Sequence, residues 1–131
     1  MTGFLLDTHI WIWYVEGSPR LPPGLRRLLD RSAGDRWLSP ISVWETGLPV
    51  ERGRLRLALP LPEWIASARH ALPLREAPVT EEVVLAALQL QLPHRDAADR
   101  FLAATALVRR LTLLTLDERM MHVRGLVTRS R

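Results

Sequence analysis

The chain has 131 residues, 47% of them hydrophobic, which is the size and apolar content of one domain with its own core. It contains no cysteine, which excludes a disulfide framework, a thiol nucleophile and a thiolate zinc site. Its 18 basic residues are all arginine and the formal net charge is +4: a P-loop lysine and a Schiff-base lysine are excluded, and the positive balance suits a polyanionic partner such as nucleic acid.

Phe4 to Leu6 is a short apolar run that ends at Asp7 and reads as a first buried strand. His9 to Val15 reads as a short apolar helix, stopped by Gly17, Ser18 and Pro19. Pro22 to Arg31 carries Leu25, Leu28 and Leu29 at helical spacing, and Trp37 and Leu38 suit a short buried strand within Arg36 to Ser39. Ser39-Pro40 is a helix start, a capping hydroxyl followed by proline at the first position. That helix carries Val43, Trp44 and Glu45, and Pro49 is expected to bend or end it. A further helix opens near Pro62, and a strand is expected between Leu72 and Val79. Thr80-Glu81-Glu82-Val83 is a capping signature for a helix through Leu90. After a connector, Leu92-Pro93-His94-Arg95, Asp96 caps a helix running to about Arg109. Leu111 to Leu116 is a β-rich apolar run ending at Asp117, and Gly125 to Thr128 reads as a last edge strand. Strands alternating with helices predict an α/β fold with a parallel sheet, over residues 1–131 as a single domain.

No stretch approaches the roughly 20 consecutive apolar residues of a membrane span. The apolar start lacks a basic segment and contains Asp7, so neither a signal peptide nor a membrane association is expected, and the expected location is the cytoplasm.

The chemistry is carried by four acids. Asp7 and Asp117 each end a predicted strand, Glu45 lies in the second turn of the helix opened by Ser39, and Asp99 lies in the first turn of the helix opened by Asp96. In a parallel α/β sheet the carboxyl ends of strands and the amino ends of helices share one edge, where ligands bind. Acids far apart in sequence therefore meet there. Such a cluster is unfavourable unless positive charge sits within it, and a divalent cation supplies that charge. Oxygen-only ligands favour a hard cation, Mg2+ or Mn2+, able to activate water against a phosphodiester. Singly, each acid also has a plain structural role: a strand-end turn for Asp7 and Asp117, an exposed helix acid for Glu45, a capping-box acid for Asp99. Asp96 reads mainly as a cap, at most a supporting acid.

Four blocks resemble a known family in order along the chain. Leu5-Leu-Asp7-Thr8-His9 looks like the opening of VapC-type PIN domains, the toxins of bacterial toxin–antitoxin pairs. Ser39-Pro-Ile-Ser-Val-Trp44-Glu45 with Gly53-Arg-Leu-Arg-Leu57 is similar to the second block, His94-Arg-Asp-Ala-Ala-Asp99-Arg100 to the third, and Leu113-Leu-Thr115-Leu-Asp117 to the fourth. The resemblance implies a three-layer α/β/α sandwich around a central parallel sheet. It implies Mg2+- or Mn2+-dependent RNA cleavage, with Asp7, Glu45, Asp99 and Asp117 as metal-binding acids and Thr115 as a nearby hydroxyl. It further implies a homodimer and a cognate antitoxin, in a hetero-oligomer that occludes the site. The chain departs from the family at Thr46-Gly47-Leu48-Pro49, where an unbroken helix with a lysine four residues after the Glu is usual.

Arg95 and Arg100 flank Asp99 and read equally as phosphate contacts or as ion-pair partners of nearby acids. His9 is the one histidine beside the expected site. The five tryptophans read mostly as core or dimer interface, with base stacking open to an exposed one. Two other classes compete with a nuclease. A noncatalytic PIN-like binding module is disfavoured by the intact acid quartet. A phosphotransfer receiver or aspartyl-phosphate hydrolase is disfavoured by the missing lysine and, for the hydrolase, by His9 where a second Asp is needed.

Overall fold

The computed structural model describes residues 3–90, 92 and 96–131. Its elements run β1 (Phe4–Leu6), α1 (Thr8–Glu16), α2 (Pro23–Asp30), β2 (Arg36–Leu38), α3 (Pro40–Glu51), α4 (Leu61–Ala71), β3 (Arg75–Glu76), α5 (Glu81–Gln89), α6 (Ala97–Arg109), β4 (Thr112–Leu114), a 3₁₀ helix (Glu118–His122) and β5 (Thr128–Arg129). The five strands form one sheet in the order β3-β2-β1-β4-β5, every pairing parallel.

Strand alternation decides the layers. Leu6 and Leu114, aligned neighbours on β1 and β4, face a core with Ile10, Trp11, Leu25, Leu29 and Trp64, supplied by α1, α2 and α4. Leu5 and Leu113, also aligned, face the other side and pack with Leu102, Ala103 and Ala106 of α6 and with Met120. Because successive side chains of a strand point to opposite faces, a strand this short serves both layers when two consecutive residues are apolar. The result is the α/β/α sandwich. On the outer side of α6, Ala104 meets Val83 and Ala87 of α5, and alanines allow that close helix approach.

The local signals behave as the sequence reads, with three differences. Helix α3 does not stop at Pro49; it runs on to Glu51, and the proline falls in its last turn. There it denies a hydrogen bond only to the carbonyl four residues back, at Glu45. The strand expected between Leu72 and Val79 contracts to Arg75–Glu76 at the sheet edge, because only its neighbour β2 offers a ladder. The last strand shifts to Thr128–Arg129 at the opposite edge. The connector residues Pro93, His94 and Arg95 lie outside the described residues. Among the described residues no helix is long and apolar enough to cross a membrane.

The order β3-β2-β1-β4-β5 grows outward from β1 in both directions. The chain after β1 turns to one face and the chain before β4 arrives from the other. A crevice therefore opens between β1 and β4 at their carboxyl ends, as at the switch point of other doubly wound sheets.

Candidate active site

Asp7 stands at that crevice, directly after β1. It is the N-cap of α1: its Oδ1 accepts from Thr8 N at 2.8 Å. Its Oδ2 accepts from the hydroxyl of the fully buried Thr115, just past β4, at 2.6 Å. Thr115 Oγ1 also accepts from Asp117 N at 3.0 Å, so one hydroxyl ties the ends of β1 and β4 together. Both oxygens of Asp7 are thus oriented by donors on rigid elements.

Glu45 arrives from α3. Ser39 caps this helix by accepting from Ile41 N at 3.1 Å, and Pro40 fills the first position, whose missing N–H has no helical partner to lose. Six residues in, Glu45 Oε1 accepts from Thr8 Oγ1 at 2.6 Å, and the same hydroxyl is hydrogen-bonded to buried Ser42 Oγ at 3.0 Å. Burial pushes the Glu45 carboxyl up to about 7 from an ordinary 4.5; the Thr8 hydroxyl pulls it back, and the negative charges of Asp7, Asp99 and Asp96 raise it further. Burial and the neighbouring negative charges both disfavour the charged form.

Helix α6 contributes two acids from its amino end. Asp96 is the N-cap, accepting from Ala98 N at 2.9 Å, and Asp99, only 8% exposed, sits in the first turn. Carboxylate oxygens of Glu45, Asp96 and Asp99 lie within 4.8 Å of one another. Asp117 caps the 3₁₀ helix through Arg119 N at 3.0 Å, and its two oxygens take the Arg119 guanidinium from Nε at 3.1 Å and Nη2 at 3.0 Å. Arg119 Nη2 also stands 3.8 Å from Asp99 Oδ2, so this side chain brings positive charge to two of the acids.

All five carboxylates, with His9, Arg20 and Arg119, line one cavity of about 410 Å³. The four acids singled out in the sequence therefore share one space. The tightest trio, however, contains Asp96 in place of Asp7 and Asp117. The signal for Asp96 was its three-residue spacing from Asp99, which puts both on one face of the first turn. Arg119 was missed, although its position two residues after a strand-end Asp within a tight turn is visible in the sequence. Arg100 corrects an expectation. Its Nε and Nη2 donate to the carbonyls of Ala87 and Leu88 at 3.2 and 3.3 Å, so it caps the carboxyl end of α5 and does not reach the cavity. Arg95, read equally as a phosphate contact or an ion-pair partner, lies outside the described residues. His9 is exposed at the cavity rim, its ring 5.8 Å from that of Trp13.

Comparison with known proteins agrees with this architecture. The PIN domain family model matches residues 4–126. The chain belongs to the PIN domain family. A curated relative, Ribonuclease VapC22 of Mycobacterium tuberculosis, is 30% identical over 122 residues, covering 92% of this PIN domain and 91% of the relative. Among solved structures, DNA-bound VapBC from Salmonella typhimurium matches with a TM-score of 0.73 and 16% identity, over 98% of both chains. FitAcB from Neisseria gonorrhoeae matches at 0.67 and 24% identity, over 97% of this chain and 96% of that one. Those likenesses establish the fold.

The residues of this PIN domain fit a divalent cation. The donor set is all carboxylate oxygen, and three donors from two helices already lie within mutual coordinating reach.

Proposed function

We propose that this PIN domain is a toxin endoribonuclease of a toxin–antitoxin pair, hydrolysing RNA phosphodiester bonds with Mg2+ or Mn2+. The observation that carries the reading is the convergence of Asp7, Glu45, Asp96, Asp99 and Asp117 on one cavity at the crevice between β1 and β4. Support comes from the relative named a ribonuclease and from neighbours solved as VapBC and FitAB assemblies. These favour a cognate antitoxin partner, and we extend the reading to a homodimer inside that hetero-oligomer.

Glu45, Asp96 and Asp99 would hold the cation, with Asp7 and Asp117 lining the same cavity as further candidate ligands. Bound there, it supplies Lewis-acid polarisation of phosphoryl oxygens and a more acidic water. Thr115 and the Thr8 amide hold Asp7 in one orientation, so its carboxylate is positioned before substrate arrives. A water attacking phosphorus would form the new P–O bond as the bond to the leaving ester oxygen breaks, its proton passing to a carboxylate of the cavity that is not engaged with the cation. The Arg119 guanidinium, already at the acid cluster, is placed to neutralise a phosphate oxygen.

The test is cleavage of total RNA by the purified protein with Mg2+ or Mn2+, beside Asp99→Asn, Asp7→Asn and EDTA, with Mn2+ binding followed calorimetrically on the same samples. The proposal expects cleavage lost in all three controls and Mn2+ binding weakened at least about tenfold in Asp99→Asn. Undiminished cleavage by both variants would remove the site assignment. Absence of cleavage by antitoxin-free wild type that still binds the antitoxin when it is added back would favour a noncatalytic binding module.

A further inference from the structure

We propose that the groove beside the acid cavity is a single-stranded RNA subsite, with Trp44 stacking a base and Arg52 and Arg54 meeting backbone phosphates; it rests on the nuclease reading above. The groove has a volume of about 340 Å³ and shares Glu45 and Asp96 with the acid cavity. A strand whose scissile phosphate lies at the acids therefore passes into it without leaving the surface.

Trp44 is 62% exposed, while Trp11 and Trp64 are buried and Trp13 and Trp37 half-buried. An indole held in water beside a catalytic carboxylate presents an apolar face of base size, and stacking on such a face tolerates any base. Arg52 and Arg54 are both exposed, and among the described residues neither guanidinium has a hydrogen-bond or ion-pair partner. Their charges are uncommitted, yet the backbone under them is fixed. Pro49 O accepts from Arg54 N at 2.7 Å and from Leu55 N at 3.2 Å, and Gly53, at φ +70, donates to Val50 O at 3.1 Å. Two free cations and an aromatic face beside a phosphodiester site match a nucleotide strand better than an apolar protein segment, which would leave both guanidiniums unpaired.

The test is fluorescence anisotropy of an end-labelled single-stranded RNA of mixed sequence, titrated in EDTA over a range of salt, with steady-state cleavage in Mg2+ alongside. Trp44→Ala should weaken binding about tenfold and Trp44→Phe far less. Arg52→Ala and Arg54→Ala should each flatten the logarithmic salt dependence by about 0.7. In cleavage all four changes should raise KM more than they lower kcat. Circular dichroism checks the fold, which an exposed indole does not support. Wild-type affinity and KM in Trp44→Ala, with cleavage intact, would overturn the subsite and leave the nuclease standing. Trp44→Ala that alters the molar mass in solution and leaves RNA affinity unchanged would overturn it in favour of an interface between copies. Wild type that cleaves no RNA would remove the nuclease reading first and the subsite with it.

Discussion

Replacing Glu45 by Gln in the metal-free protein isolates the electrostatic strain of the acid cluster. The folded chain keeps the Glu45 proton up to about pH 7, whereas the ordinary value is 4.5. Between these values the folded state binds more protons than the unfolded one, so stability falls as pH rises through that window. At full burial the displacement corresponds to about 3 kcal/mol. Glu45 keeps partial contact with water, which reduces the expected effect to about 1–2 kcal/mol. Gln keeps the carbonyl that accepts from Thr8 and carries no charge at any pH. Urea unfolding in EDTA should therefore show Glu45→Gln gaining about 1–2 kcal/mol on wild type between pH 5 and pH 8, with little difference at pH 5. A difference that stays flat across that range, or that turns in favour of wild type as pH rises, would refute desolvated negative charge as the cause.

Four further outcomes are expected. Thr115→Val removes the hydroxyl that orients Asp7, and calorimetry should show Mn2+ binding weakened about tenfold, with Thr115→Ser close to wild type. Arg119→Ala removes a positive charge that stands within ion-pair distance of Asp99 and Asp117, so Mn2+ should bind several-fold more tightly in the same experiment. Tyr14→Phe severs a chain in which the tyrosine hydroxyl donates to Asp30 at 2.7 Å and accepts from buried Arg36 at 3.1 Å, and denaturant unfolding should register a loss of about 1–3 kcal/mol. Leu114→Ala empties a fully buried position in the central sheet, and the same assay should show a loss of about 2–5 kcal/mol.

Most helix starts were legible because they are written in local chemistry. Ser39, Thr80 and Asp96 each cap the helix the sequence places after them. The strands were legible only as apolar runs; their lengths were set by which neighbour offered a ladder, which shortened β3 to Arg75–Glu76. Four site acids could be placed at one edge because parallel topology puts strand ends and helix starts together. The grouping within that edge was not legible. It depends on the approach of α3 to α6, which draws Glu45 toward Asp96 and Asp99. The same limit hid Arg100, whose distance from α5 no sequence spacing reveals, and Arg119, whose 3₁₀ turn folds it back on Asp117.

Asp7, Asp96 and Asp117 each cap a helix through one carboxylate oxygen while lining the acid cavity. Asparagine caps helices as well as aspartate does and carries no charge. The codons of the two residues differ by one base, so a single transition would remove a charge from the cavity while keeping the cap. Inactive alleles of such a gene should accumulate readily in a cell harmed by its product. They should encode soluble protein that still occupies its partner, and disabled copies would then compete with active ones for the same antitoxin pool.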